Sequence, residues 1–183
     1  MISVQNLTHQ LGQQTILNEL SLIIPKGKVT ALVGANGAGK STLLSLIARL
    51  MKLQKGQIVI DNMSVGDTLS GGQRQRAYVA MTYAQNTDYM LLDEPLNNMD
   101  IAASRALMRV LRDLCEHHGR TIVIVLHDIN YASAYTDNVV ALAEGKIDQQ
   151  GTPLDVVTSA FLQRIYGTAA KVHILDNRPF VQV

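Results

Sequence analysis

The apolar positions of this chain come in short runs whose spacing switches between the period of a strand and that of a helix. Ile2–Leu7 and Ile16–Ile24 read as strands separated by a turn at Gly12, and Pro25-Lys26-Gly27-Lys28 reads as a second turn. Val29–Val33, Tyr89–Leu92 and Thr121–Leu126 are unbroken apolar runs, the pattern of buried strands, and Tyr89–Leu92 is expected to be covered on both faces. Gln57–Asp61 alternates and reads as a strand. Leu43–Leu50 and Gly71–Gln85 read as helices. Ile101–His118 carries the clearest helical stripe, made by Leu107, Val110, Leu111, Leu114 and Cys115, with Asp100 placed to cap its start and Gly119 to end it. Val139–Ala143 and Lys146–Gln150 flank Glu144-Gly145 as a hairpin; short helices follow Pro153, and Val172–Leu175 and Phe180–Val183 read as closing strands. Strands alternating with helices predict one α/β domain over residues 1–183, with a mainly parallel sheet between helices and a smaller N-terminal antiparallel β-subdomain.

One stretch changes the picture from fold to chemistry. Gly34-Ala35-Asn36-Gly37-Ala38-Gly39-Lys40-Ser41-Thr42 fits the pattern G-x-x-x-x-G-K-[ST]. A glycine-rich run alone is an ordinary turn. Here a buried strand leads in and a helix leads out, which is the context of a P-loop NTPase core. Glycines let the backbone approach a phosphate chain without Cβ clashes, and bare N–H groups then sit at the positive end of a helix dipole. Lys40 adds a point charge for the outer phosphates, and the Ser41 hydroxyl suits Mg2+.

The run Leu91-Leu92-Asp93-Glu94-Pro95 ends an apolar strand in two carboxylates. The carboxyl edge of an open α/β sheet is where ligands bind. Asp93 can hold magnesium through its water shell, and Glu94 can orient, or take a proton from, a water attacking a γ-phosphate. Composition excludes several other classes. The 16 Lys and Arg against 15 Asp and Glu leave a charge of +1, so no nucleic-acid partner is implied. Cys115 is the only cysteine, which rules out a disulfide framework or a cysteine-rich metal site. The N-terminus does not read as a secretory signal, and no apolar run is long enough to span a membrane.

Ser70-Gly71-Gly72-Gln73 can open a helix with free N–H groups, a second anion site. Lying shortly before the Asp93-Glu94 strand, this run resembles the signature motif of ATP-binding cassette (ABC) proteins. Leu96-Asn97-Asn98-Met99-Asp100 is similar to the family's D-loop, and His127, after the strand Ile122–Leu126, sits where the family carries its switch histidine. The resemblance covers nearly the whole chain. It implies ATP and Mg2+ as ligands, ATP hydrolysis as the reaction, and a second copy paired head to tail. In that pair Ser70 and Gly72 of one copy would contact the γ-phosphate held by Lys40 of the other, His127 would sense that phosphate, and Asp100 would cross the interface. The run Asp93–Asp100, together with Leu126–Asn130 and Gly151-Thr152-Pro153, resembles the branch that imports ferric siderophores, haem and cobalamin. That branch implies a membrane permease and a solute-binding protein as partners, and a cytoplasmic chain held at the inner face of the cell membrane.

Two departures from the family stand out. The aromatic residue that stacks on adenine is matched here by Leu11, which offers apolar contact and no ring. Between Asp61 and Leu69 there are only seven residues, where the family places a core strand, a glutamine loop and a helical subdomain. The helical subdomain is therefore expected to be missing between 62 and 69. A linker of seven residues spans roughly 23–25 Å, enough to reach the far end of the signature helix only if nearly straight. An alternative of another class follows: a nucleotide-binding module with little or no turnover and no transport coupling. Intact Glu94 and His127 favour the enzyme; the missing loop favours the module. A DNA-repair or translation ATPase of the same superfamily is a third reading, disfavoured by the neutral charge and the lack of tandem cassettes.

Overall fold

Alternation near the N-terminus builds an antiparallel sheet. In the computed structural model, which describes residues 1–61, 63–64 and 87–182, β1 (Ile2–Leu11) and β2 (Gln14–Ile24) form a hairpin through the turn at Gly12. β4 (Lys55–Ile60) pairs with the other edge of β1, and β5 (Met63–Ser64) pairs back on β4, giving the order β2-β1-β4-β5. The nearly straight course that a seven-residue linker would need to reach the far end of the signature helix is not taken at its start. The chain reverses after Asp61, whose φ is +44° and whose carboxylate takes a 3.0 Å bond from Lys26 Nζ, and it returns alongside Val59 and Ile60. The expected helix Gly71–Gln85 and the signature run Ser70–Gln73 lie outside the described residues.

The second sheet has the order β6-β7-β3-β8-β9, from β6 (Tyr89–Leu92), β7 (Thr121–Val125), β3 (Val29–Val33), β8 (Asn138–Ala143) and β9 (Lys146–Gly151). The first four are parallel, and β9 returns antiparallel through Glu144-Gly145. The continuous apolar runs have a direct cause. On β3, β7 and β8 the side chains alternate between two cores, Leu32, Val123, Val125, Val140 and Leu142 facing one, Val29, Ala31, Ile122, Ile124 and Ala141 the other. The first core is closed by the antiparallel sheet and α1 (Lys40–Ile47), the second by α2 (Ile101–His118), α3 (Ile129–Tyr135), α4 (Pro153–Val156) and α5 (Ser159–Tyr166). Each fully buried Leu or Ile in these layers stabilises the fold by about 1.5–3 kcal/mol relative to exposure.

Three expectations are corrected. β6 does meet both cores, Tyr89 and Leu91 packing on the first and Met90 and Leu92 on the second, but it is an outermost strand among the described ones, so only Leu92 is fully buried and the other three are half-buried. α1 stops at Ile47 rather than Leu50. Arg49 takes φ +60°, its N–H bonds to Leu46 O and Leu50 N–H bonds to Ser45 O, a Schellman closure made without glycine. On α2 the buried stripe is Ser104, Met108, Leu111 and Cys115, with Leu107 and Leu114 half-buried and Val110 exposed. Its ends are as expected: Asp100 accepts from Ala103 N–H at 2.7 Å, and Gly119 adopts φ +64°. β10 (Lys171–Leu175) and β11 (Arg178–Gln182) form a separate hairpin.

Candidate active site

The loop from Gly34 to Gly39 joins β3 to α1 and carries the backbone the motif requires. Gly34 has φ +143°, and a Cβ there would lie 2.2 Å from the Leu142 carbonyl oxygen. Gly39 has φ +99°, and a Cβ would meet Leu17 Cδ2 at 2.6 Å. Gly34 excludes a side chain by space as well as by conformation, because the clash is with backbone, while at Gly39 the positive φ is the main constraint and the close neighbour is a movable leucine methyl. The Ala38 N–H bonds to Ala35 O at 3.2 Å and tightens the loop, and Leu43 N–H bonds to Gly39 O at 2.9 Å as α1 begins.

Lys40 lies beneath this loop and is buried, at 5% exposure. Its ammonium donates to Gly34 O and to Ala35 O, both at 2.9 Å. Burial pushes its pKa down, against the pull of the nearby Glu94 and Asp93 carboxylates. Two of its three donors are held by the loop, which leaves the third to turn outward. Ser41 Oγ donates to Asp93 Oδ1 at 3.1 Å, joining the first turn of α1 to the end of β6. A hydroxyl beside a carboxylate, at the mouth of a phosphate loop, is the hard oxygen set that magnesium prefers.

Glu94 follows Asp93 with φ +49°, outside the usual range for a residue with a side chain, and its carboxylate is held on both oxygens. With the proton on Nε2, His127 donates to Oε1 at 2.6 Å, and Asn97 Nδ2 donates to Oε2 at 2.7 Å. Burial raises the Glu94 pKa. The hydrogen bonds from His127 and Asn97, with the charges of His127 and Lys40, outweigh it and hold the group below its ordinary value.

One cleft collects Lys40, Ser41 and Glu94. Leu11, Ile16, Asn36, Gly37, Gly39, Lys40, Ser41, Thr42 and Glu94 line an opening of about 220 Å³. Leu11 is 49% exposed on its rim. Ile16 is beside it and carried no signal beyond its place in a strand. A second cleft of about 270 Å³, lined by Glu94, Asn97, Met99, His127 and Tyr131 among others, shares Glu94 with the first. Asp100 is spent as the α2 cap and lies outside both clefts.

Comparison with known proteins agrees with this geometry. The family description "ABC transporter" matches residues 17–68 and, again, 62–97. The petrobactin import ATP-binding protein YclP of Bacillus subtilis (strain 168) is 36% identical over 245 aligned positions, covering 97% of this chain and 97% of that protein. The chain belongs to the ABC transporter family. The ferric enterobactin transport ATP-binding protein FepC of Escherichia coli (strain K12) is 32% identical over 232 positions, covering 89% of this chain and 86% of that protein. Among solved structures, a dimeric ATP-binding cassette in a post-hydrolysis state with ADP and Pi has a TM-score of 0.71 at 23% identity, covering 83% of this chain and 98% of that one. The cbiO1 subunit of Clostridium perfringens has a TM-score of 0.74 at 22% identity, covering 89% and 92%. As an ABC ATPase, the chain binds nucleotide and hydrolyses ATP to ADP and phosphate.

Proposed function

We propose that this chain is the ATP-hydrolysing subunit of an importer for ferric siderophores, working as a head-to-tail pair beneath a membrane permease. The observation that carries the catalytic part is the meeting of Lys40, Ser41, Asp93, Glu94 and His127 at one sheet edge, linked by the Ser41–Asp93 and Glu94–His127 contacts. The solute class is supported by relatives whose names specify petrobactin and ferric enterobactin. A solute-binding protein belongs to the same reading as the partner that brings the solute. No described helix is long and apolar enough to cross a membrane, so attachment at the inner face of the cell membrane would come through the permease.

In this reading the N–H groups of Gly37–Thr42 and the Lys40 ammonium bind the phosphates. Ser41 and Asp93 would hold Mg2+, which when bound draws charge from the β- and γ-phosphate oxygens. Glu94 stays ionised, because its two donors favour the carboxylate, and it orients the attacking water. His127 holds Glu94 in place and faces the γ-phosphate. The adenine rests on Leu11 and Ile16 by apolar contact. Ser70–Gln73 of the second copy would complete the site, and exposed Met99 and Ile101 on either side of Asp100 support a partner at that loop.

A second reading, a nucleotide-binding module with little turnover, is favoured by one observation. The family match stops and restarts over residues 62–68, and alignments of 232 and 245 positions exceed the 183 residues of this chain. This supports a helical subdomain missing between 62 and 69, and with it the glutamine loop. Phosphate release measured beside an ATP titration separates the two. Saturable ATP binding with phosphate release that Glu94→Gln abolishes is expected; binding with no release in the wild-type chain would leave the module.

A further inference from the structure

Tyr166 is the last residue of α5, and no motif singles it out. Its ring packs edge-on against the fully buried Phe161, with centroids 5.9 Å apart at 84°. Its hydroxyl oxygen reaches the phosphate loop and accepts a 3.1 Å hydrogen bond from Gly34 N–H, from a residue 132 positions later in the chain. Gly34 is also the residue whose carbonyl takes a hydrogen bond from Lys40 Nζ. The two peptide groups flanking this glycine are therefore each held, one by a phenol and one by an ammonium. Gly34 has no side chain to fix its orientation, and its φ of +143° lies in a region that glycine enters freely.

We propose that Tyr166 is a positioning residue for ATP: by holding the Gly34 N–H it sets the Gly34 carbonyl that aims the Lys40 ammonium at the phosphates. The proposal rests on the assignment of the loop to ATP made above. Lys40 is long and flexible, and its charge is useful only if its free donor points outward. A carbonyl held in one orientation reduces the number of positions the ammonium visits, which lowers the ordering cost when the polyphosphate arrives. Tyr166 also makes the loop's geometry depend on the docking of α5, an element far from it in sequence.

The test uses the full chain and four proteins: wild type, Tyr166→Phe, Lys40→Ala and the double variant, each titrated with ATP. Tyr166→Phe keeps the ring against Phe161 and leaves Gly34 N–H without its acceptor. Affinity for ATP should fall about threefold to tenfold. In the Lys40→Ala background the same change should alter affinity by less than about twofold, because the group that Tyr166 acts through is gone. A purely structural role would weaken both backgrounds alike, so additive losses would overturn the proposal, as would a Tyr166→Phe affinity equal to wild type. Hydrogen exchange at the Gly34 amide in the wild-type protein gives a reading that needs no variant: slowed exchange is expected, and exchange at the rate of a free amide would overturn it. Should wild-type protein fail to bind ATP at all, the loop assignment itself falls, and Tyr166 has nothing to position.

Discussion

Each reactive side chain at this site is held by a named neighbour, and the consequences can be measured one residue at a time. Lys40 keeps a single free donor for the proposed polyphosphate contact, the other two being bound to Gly34 O and Ala35 O. A hydrogen bond from a charged donor is worth roughly 1.5–3 kcal/mol. Lys40→Ala should therefore weaken ATP binding by about tenfold or more in a titration; curves that superimpose on wild type would remove Lys40 from the site. Glu94→Gln keeps the shape of the side chain and loses the charge that His127 and Asn97 hold. Phosphate release should nearly vanish while ATP affinity changes little. Undiminished release would assign the water to another group.

At the scale of elements, the α2 stripe makes a direct comparison possible. Met108 is fully buried and Val110 is 43% exposed, although the sequence pattern placed Val110 on the apolar stripe and left Met108 out. Met108→Ala should cost about 2–5 kcal/mol in urea unfolding, and Val110→Ser should stay within about 0.5 kcal/mol of wild type. Similar losses from both would mean that α2 is rotated from the orientation described.

Asp137 makes a second element-scale prediction. It joins three elements, since its carboxylate accepts from Val29 N–H of β3 at 2.9 Å and from Arg112 of α2 at 2.8 Å, just ahead of β8. Burial raises its pKa, but the bonds from Arg112 and Val29 N–H outweigh this and hold it below the ordinary 3.8. A carboxyl depressed in the folded state stabilises above its unfolded value and loses that contribution as pH falls through the folded one. Wild-type stability should therefore decline below about pH 4. Asp137→Asn should be less stable at neutral pH and flatter across that acid window. Parallel acid limbs for the two proteins would remove the assignment.

Taken whole, the molecule has a nucleotide core in which only seven residues separate Asp61 from Leu69. Resemblance to the ABC family implies that the glutamine loop and helical subdomain receive a coupling helix from the permease. If that subdomain is absent between 62 and 69, the chain should bind ATP and still fail to drive import. Cells lacking their own ATPase, with expression of this chain verified, should take up no ferric siderophore. Restored uptake would show that coupling runs through the remaining core or that another chain supplies the missing part.

The phosphate loop, the carboxylate pair after β6 and the caps of α2 were legible in the sequence because each depends on contiguous residues. A tight turn needs glycine at fixed offsets, and a cap needs its side chain within three residues of the N–H it serves. The burial of β3 and β7 was legible for the same reason, as alternation has no polar phase when both faces are covered; β8 was legible only as an arm of a hairpin. What the sequence could not decide depends on distant partners. The incomplete burial of β6 follows from its outer position in the sheet, and the rotation of α2 follows from which face meets β3 and β7. The reversal after Asp61 places β5 against β4, and the Schellman closure at Arg49 ends α1 without the glycine that would have announced it. His127 meets Glu94 and Tyr166 meets Gly34 only because the sheet order and the docking of α5 bring them together. Local backbone geometry is written in neighbouring residues, whereas these pairings are set by packing across the whole fold.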